Sequence, residues 1–302
     1  MPDEPSASNV RELTPTVEAV RAALNGLPRE PGVAKPDPIL VGSHIKRRFG
    51  GLVAVQVEHV EVQRGTITAL IGPNGAGKTT LFNLLTGFDQ ADSGEWTFEG
   101  REVSKLRSYK VARVGMVRTF QLTKALSRMT VLDNMRLAAT AQRGESFFPG
   151  LLKSLWGSQE TANTGRAREL LGRFNLLAKQ DDFAGSLSGG QRKLLEMARA
   201  LMTEPTMVML DEPMAGVNPA LTQSLLGHIK DLREQGMTVL FVEHDMDMVR
   251  DISDWVIVMA QGAIIAEGPP EEVMANTAVI DAYLGAHHDQ ALTESGESLQ
   301  ED

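Results

Sequence analysis

Gly72-Pro73-Asn74-Gly75-Ala76-Gly77-Lys78-Thr79-Thr80 fits the pattern G-x-x-x-x-G-K-[ST] at every position. Ahead of it the apolar run from Ile67 to Ile71 reads as a buried strand. Behind it Leu81, Phe82, Leu84 and Leu85 give the stretch from Thr79 to Leu85 the pattern of a helix. Glycine at positions 72, 75 and 77 lets backbone N–H groups close around phosphate oxygens that a Cβ would hold away. Lys78 adds a point charge for β and γ phosphates, the helix N-terminus adds its dipole, and the Thr79 hydroxyl suits Mg²⁺. The stretch from Gly72 to Thr80 therefore implies a nucleoside triphosphate, ATP or GTP.

The chain around this loop has 302 residues, 42% of them hydrophobic, which is enough to fill a sizeable core. It has no cysteine, so disulfides, thiolate metal sites and cysteine nucleophiles are excluded, and the cytosol is the default compartment. The first eleven residues carry Asp3 and Glu4 with no apolar core behind them, unlike a secretory signal. No apolar run approaches the ~18 residues of a membrane span, so the chain is not expected to cross a bilayer. A net charge of −9 argues against nucleic acid as a partner. Much of that charge lies in the ends. Residues 285–302 hold five acids and no Lys or Arg, and residues 1–38 hold six acids against four bases.

Residues 1–38 also contain seven of the fourteen prolines, and read as a mostly disordered arm. One short helix can interrupt it, capped by Thr14, with Pro15 in its first turn, Val17, Val20 and Leu24 on one face, and Asn25-Gly26 at its end. From Ile39 the pattern changes to strands, over 41–49 and 54–62, that look like an antiparallel start. Further strands are expected over 96–98 and 117–120. Residues 121–187 read as a helical insertion, with helical spacing over 131–141, 151–156 and 161–174. Then follow a helix from Ser188, a strand over 207–210, a helix over 219–233, and strands over 239–242 and 256–259. Strands alternating with helices imply a largely parallel α/β sheet. The Gly/Ser/Glu-rich end from Gly285 reads as a solvated acidic tail.

Two more stretches carry chemistry. Met207-Val208-Met209-Leu210-Asp211-Glu212 is an apolar strand ending in two carboxylates, where Mg²⁺ ligands are expected beside a phosphate loop. Asp211 suits the metal, and Glu212 is then free to act as general base on the attacking water. Without the loop upstream, an Asp-Glu pair after a strand reads as a solvated turn. Leu187-Ser188-Gly189-Gly190-Gln191 opens the next helix, and Ser188 with Gln191 has the S-x-x-Q spacing of a capping box. Two glycines weaken a first helical turn, so a second purpose suggests itself: bare amides and a hydroxyl at a helix N-terminus suit phosphate.

Taken in order, Gly72 to Thr80, Gln121, Leu187 to Gln191, Asp211-Glu212 and His244 resemble the ATP-binding cassette of ABC transporters. The resemblance spans residues 39–284. It implies a P-loop NTPase fold, with a mainly parallel core sheet, an antiparallel β subdomain and a helical subdomain over about 121–187. It also assigns roles. Phe49 would stack on adenine, although a Phe there, taken singly, is more often part of a core. Gln121 would complete Mg²⁺ coordination with Thr79 and Asp211, and His244 would contact the γ-phosphate beside Glu212 and Lys78. Ser188, Gly189, Gly190 and Gln191 would hold a nucleotide bound to the phosphate loop of a second cassette, so the chain needs a dimer partner to work.

Asn218 stands where the family pattern has Asp, which removes a carboxylate at the dimer seam. The Ala215-Gly216-Val217-Asn218-Pro219 form is similar to ATP-binding subunits of branched-chain amino acid importers. So are the stretches from Arg118 to Gln121, Met129 to Asn134, Phe241 to Met246, Ala266 to Val273 and Ala282 to Gly285. Residues 147–156 resemble an insertion in the longer of that family's two cassettes. The function so implied is an ATPase that energises import. It would sit peripherally on the cytoplasmic face of the membrane, with permease subunits, a second, paralogous cassette and, indirectly, a substrate-binding protein as partners. Closely similar cassettes serve urea, amide and other transporters. A soluble ABC protein acting on DNA or ribosomes is disfavoured by the absence of a second cassette, a long coiled coil or a basic region. A cassette without hydrolysis is disfavoured by the presence of Lys78, Asp211, Glu212 and His244.

Overall fold

In the computed structural model, which describes residues 16–119, 126–139 and 157–283, every residue of Ile67–Ile71 is buried. A strand covered on both faces has no need to alternate polar with apolar residues. In chain order the strands are β1 Pro38–Phe49, β2 Leu52–Gln63, β3 Ile67–Ile71, β4 Ser93–Phe98, β5 Arg101–Glu102, β6 Met116–Arg118, β7 Met207–Asp211, β8 Thr238–Val242, β9 Trp255–Ala260 and β10 Ala263–Gly268. They form a six-stranded sheet in the order β10-β9-β3-β8-β7-β6 and a four-stranded sheet in the order β2-β1-β4-β5. The first is parallel except for the β9–β10 hairpin at its edge, and the second is antiparallel throughout. This is the expected architecture of one mainly parallel and one antiparallel sheet.

The two faces of the large sheet feed two cores, because successive side chains of a strand point opposite ways. On one face Ala69 and Ile71 of β3, Val208 and Leu210 of β7 and Phe241 of β8 meet the helices. On the other face Leu70, Met209, Leu240 and Ile257 meet the antiparallel sheet across helix α2, Lys78–Leu85. Phe82 of α2 is fully buried there, at a site where truncation to Ala costs ~3–5 kcal/mol. The core between the sheets thus fixes the helix that the phosphate-binding stretch begins.

Helix α3, Ser108–Arg113, precedes β6. Helices α4, Val131–Ala138, and α5, Gly157–Arg173, occupy the described part of the expected insertion. Thr130 caps α4 by accepting from Asp133 N, and the buried Asn134 ties the preceding turn to it through hydrogen bonds with both backbone groups of Leu126. Helices α6, Gly189–Leu201, and α7, Pro219–Glu234, flank β7 in sequence. The chain continues with α8, Met246–Ile252, and α9, Pro270–Met274. Gln121, the insertion over 147–156 and the acidic tail over 285–302 lie outside the described residues.

The reading of residues 1–38 as a mostly disordered arm is corrected from Thr16 onward, while the short helix expected within it is present. Helix α1, Val17–Asn25, is capped by Thr16 rather than Thr14, and buries Val20 and Leu24 in the core between the sheets. Beyond it the Lys35 side chain, 0% exposed, pairs with Glu267 at 2.7 Å, and Trp255 Nε1 donates to the same carboxylate at 2.8 Å. Arg21 pairs with Asp254, and Arg29 with Glu272. Composition made this segment look solvated because its charges and prolines are counted locally. The partners of Arg21, Arg29 and Lys35 lie more than two hundred residues away.

Candidate functional site

β3 ends at Ile71, and the chain turns at once into left-handed backbone, with φ of +148° at Gly72, +76° at Gly75 and +99° at Gly77. A Cβ on Gly77 would lie 2.3 Å from the Ala54 carbonyl oxygen of β2, so no other residue fits there. The loop is also braced from the β9–β10 turn, where Gly262 N donates to Ala76 O at 3.0 Å. Ala76 is buried, whereas Asn74, Gly75 and Thr79 are exposed, which leaves an open cradle at the start of α2. Pro73 and Thr80 are half-buried beside it.

Lys78 folds into this cradle. Its ammonium donates to Gly72 O at 2.6 Å and Pro73 O at 2.9 Å. Burial pushes its pKa down, while the carboxylates of Glu212 and Asp211 draw it back up. The phosphate-binding stretch and the acidic end of β7 therefore share one electrostatic site. Their neighbourhood follows from topology: β3, β8 and β7 are adjacent and parallel, so their C-terminal ends open on the same edge. Asp211 lies level with Val242, two residues before His244.

Asp211 is buried and accepts from Arg118 Nη2 at 2.6 Å, while Arg118 Nη1 donates to Asn83 Oδ1 at 2.6 Å. The same guanidinium lies over the rings of Phe82 and Phe88. Sequence reading did not give Arg118 a role. An Arg at the end of an otherwise apolar edge strand was the available signal. Glu212, next in line, holds φ at +45°, a left-handed conformation costing a non-glycine residue ~1–3 kcal/mol. Its N–H donates to Val242 O at 3.0 Å, which locks the strained residue against β8. The His244 side chain is 67% exposed, with Nδ1 3.7 Å from a Glu243 carboxylate oxygen.

Phe49 ends β1 with half its surface exposed, so it is not a core residue. The Arg47 guanidinium lies 4.7 Å from its ring centroid, held in turn by Asp89 at 2.9 Å and Asp92 at 3.1 Å. Because β2 touches Gly77 at Ala54, the Phe49 turn lies on the side of the phosphate cradle.

The helix start at Ser188 forms the capping box. Ser188 Oγ accepts from Gln191 N at 3.2 Å, and Gln191 Oε1 accepts from Ser188 N at 3.1 Å. Gly189 is open to solvent, but a Cβ on Gly190 would lie 1.6 Å from Leu221 Cδ2 of α7. Gly190 is thus explained within this chain, by the packing of α6 on α7. Asn218 caps α7 by accepting from Leu221 N at 3.0 Å, a task Asn and Asp perform equally well. The structure brings together the loop, Asp211, Glu212 and the backbone leading to His244. Ser188 and Gln191 bond one another.

The model of the family described as "ABC transporter" matches residues 56–215, and that described as "Branched-chain amino acid ATP-binding cassette transporter" matches residues 263–289. The chain is 43% identical over 250 residues to the high-affinity branched-chain amino acid transport ATP-binding protein BraF of Pseudomonas aeruginosa. The match covers 82% of this chain and 98% of BraF. It is 42% identical, with the same coverage, to the corresponding protein LivG of Salmonella typhimurium. Among solved structures it is similar to the ADP conformation of MJ1267, an ATP-binding cassette of an ABC transporter. That match has a TM-score of 0.72 and 38% identity, over 82% of this chain and 99% of the other.

Proposed function

Because the chain belongs to the ATP-binding cassettes of ABC transporters, we propose that it is the ATP-hydrolysing, energy-coupling subunit of an importer for branched-chain or related amino acids. The observation that carries the catalytic part is the placement of the Lys78 ammonium in the phosphate cradle, within the field of both Asp211 and Glu212. The names of the relatives supply the substrate class.

In this reading the N–H groups from Gly72 to Thr80 and the Lys78 ammonium hold the β and γ phosphates, and Phe49 stacks on adenine with Arg47 behind it. Glu212 takes a proton from the water that attacks the γ-phosphorus, and the bond to the β,γ-bridging oxygen breaks. His244 steadies the γ-phosphate and the water. Thr79 and Asp211, with Gln121, supply the hard oxygen donors that suit Mg²⁺, and Arg118 takes only one oxygen of Asp211. Among the described residues no group of three or more His, Cys, Asp or Glu could enclose a metal alone. Mg²⁺ when bound neutralises charge on the phosphates.

Ser188 to Gln191 close on the nucleotide of a second cassette, a paralogue of this chain, and ATP-driven closure followed by release on hydrolysis moves the permeases. The surface that receives the permease lies on the helical subdomain, where Leu126, Leu137, Leu177 and Phe183 are exposed and Arg136 joins Asp133 and Glu160. Among the described residues no helix is long and apolar enough to cross a membrane. As the ATP-binding subunit of a membrane transporter, which is what its relatives are named as, the chain sits peripherally on the cytoplasmic face.

Glu212→Gln chains, closed with MgATP in cells and isolated from gently solubilised membranes, are expected to bring two polytopic permeases and a second cassette. Recovery of soluble proteins alone would overturn the transport reading. Arg136→Glu should lower permease recovery, and unchanged recovery would refute that docking surface.

A further inference from the structure

Two charged side chains that hydrolysis as described does not use converge on the turn after Glu212. Lys193 reaches it from the second turn of α6. Its ammonium has three N–H donors, and three backbone carbonyls of the turn lie around it: Ala215 O at 2.5 Å, Pro213 O at 2.9 Å and Glu212 O at 3.4 Å. Glu243 reaches the turn from the end of β8, with a side chain 2% exposed. One of its oxygens accepts from Met214 N at 3.0 Å, and the other accepts from the backbone N–H of His244 at 3.3 Å. One group therefore binds the turn through its carbonyls and the other through an amide. The second also joins the turn to His244.

This arrangement is costly in isolation. Burial pushes the pKa of Lys193 down and that of Glu243 up, and each is drawn back by groups around the turn, including the field of Glu243 at Lys193 and the two N–H donors at Glu243. The turn between them begins with the left-handed Glu212, a conformation that persists only where the surroundings over-determine it. Lys193 also sits on the helix that Ser188 to Gln191 begin, so a shift of that helix is carried directly to the residue that activates water.

We infer that Lys193 and Glu243 are positioning residues for hydrolysis: together they hold the turn from Glu212 to Gly216 in the one shape that sets the Glu212 carboxylate against His244, and link that shape to the start of α6. The inference rests on the reading of Glu212 as the base.

The test uses the full-length chain. Lys193→Met keeps the stem and removes the donors, Lys193→Arg keeps donors, and Glu243→Gln keeps shape but can accept at only one of its two positions. Each is also made with Glu212→Gln. Lys193→Met and Glu243→Gln should lower kcat about tenfold or more, since small misplacement of a reacting group is enough for that. The KM for ATP should stay within about twofold, because no contact to the phosphate cradle is touched. Lys193→Arg should restore most of kcat. Neither change should lower the residual turnover of Glu212→Gln further, because residues acting through a third are not additive with it. Amide exchange at Met214 and His244 should accelerate in Glu243→Gln while β3 stays protected.

The same fall in kcat on the Glu212→Gln background would overturn the inference, as would an unchanged kcat in both variants. A fall matched by lost thermal stability and not rescued by Arg would mean only a structural role. If Glu212→Gln itself leaves turnover intact, the assignment of the base fails. The positioning role is then judged by exchange alone: faster exchange at Met214 and His244 supports it, and unchanged exchange refutes it.

Discussion

Lys35→Met removes an ammonium whose side chain is 0% exposed and leaves the Glu267 carboxylate, 2% exposed, without its cation. Val33 N and Trp255 Nε1 still donate to that carboxylate, so it keeps two neutral donors and loses its one charged donor. Breaking one half of a buried pair costs ~3–5 kcal/mol, against a total stability of ~5–15 kcal/mol for a folded domain. The aliphatic stem of Met keeps much of the contact with the Trp255 ring, over which the Lys35 ammonium lies at 4.7 Å. The loss therefore falls on charge rather than volume. Urea unfolding should show a lower midpoint with an unchanged slope. Adding Glu267→Gln to Lys35→Met should restore at least ~2 kcal/mol relative to the sum of the single changes, since the double variant holds no unpaired buried charge. A cost under ~1 kcal/mol for Lys35→Met, the worth of a surface pair, would refute the seating of residues 16–38 on the domain.

Four further outcomes are expected. Gly190→Ala sets a Cβ 1.6 Å from Leu221 Cδ2, the end of a half-buried side chain that can turn aside, and gains helix propensity, so it should cost under ~1 kcal/mol in thermal unfolding; a larger loss would show that Leu221 is locked in place. Arg118→Met should lower kcat for ATP by about tenfold or more, because Asp211 loses the guanidinium that orients it; an unchanged kcat would show that Asp211 needs no such partner. The Tyr283 phenol, pushed up to about 12 by burial, lends stability that is fully present below pH 10 and is lost as pH rises toward 12. Unfolding of the wild type and Tyr283→Phe should therefore diverge over that window by ~1–2 kcal/mol after allowance for solvent screening, with the wild type losing more. Chelation of divalent ions should stop hydrolysis while leaving measurable binding of ATP to the cradle, and turnover that persists in excess chelator would remove Mg²⁺ from the site.

The core of the fold was legible because its signals are local. β3 ran over the residues its apolar pattern indicated, and the expected strand over 207–210 ended one residue later, at Asp211. Ser188 and Gln191 formed the capping box that their spacing announced. What escaped depends on contacts across the chain. Helix α8 has only seven residues and begins two residues after His244, too short for periodicity to separate from a loop. β10 pairs antiparallel with β9 across a tight turn at Gln261-Gly262 and carries its own buried Glu267, which breaks an apolar pattern. Arg118, Lys193 and Glu243 look like ordinary surface charges until their partners in other elements are known. Asn218 shows the opposite case. Sequence reading saw a missing carboxylate at a seam and a subfamily pattern, and the structure adds a helix cap that the amide fills as well.

The left-handed φ of Glu212 sets this residue against the stability of its own protein. Glycine adopts such a backbone freely, so Glu212→Gly relieves strain of order 1 kcal/mol at the position we assign as the base. A library screened only for heat resistance should enrich that substitution, and on the reading of Glu212 as the base its best-folding survivors should bind nucleotide without turning it over.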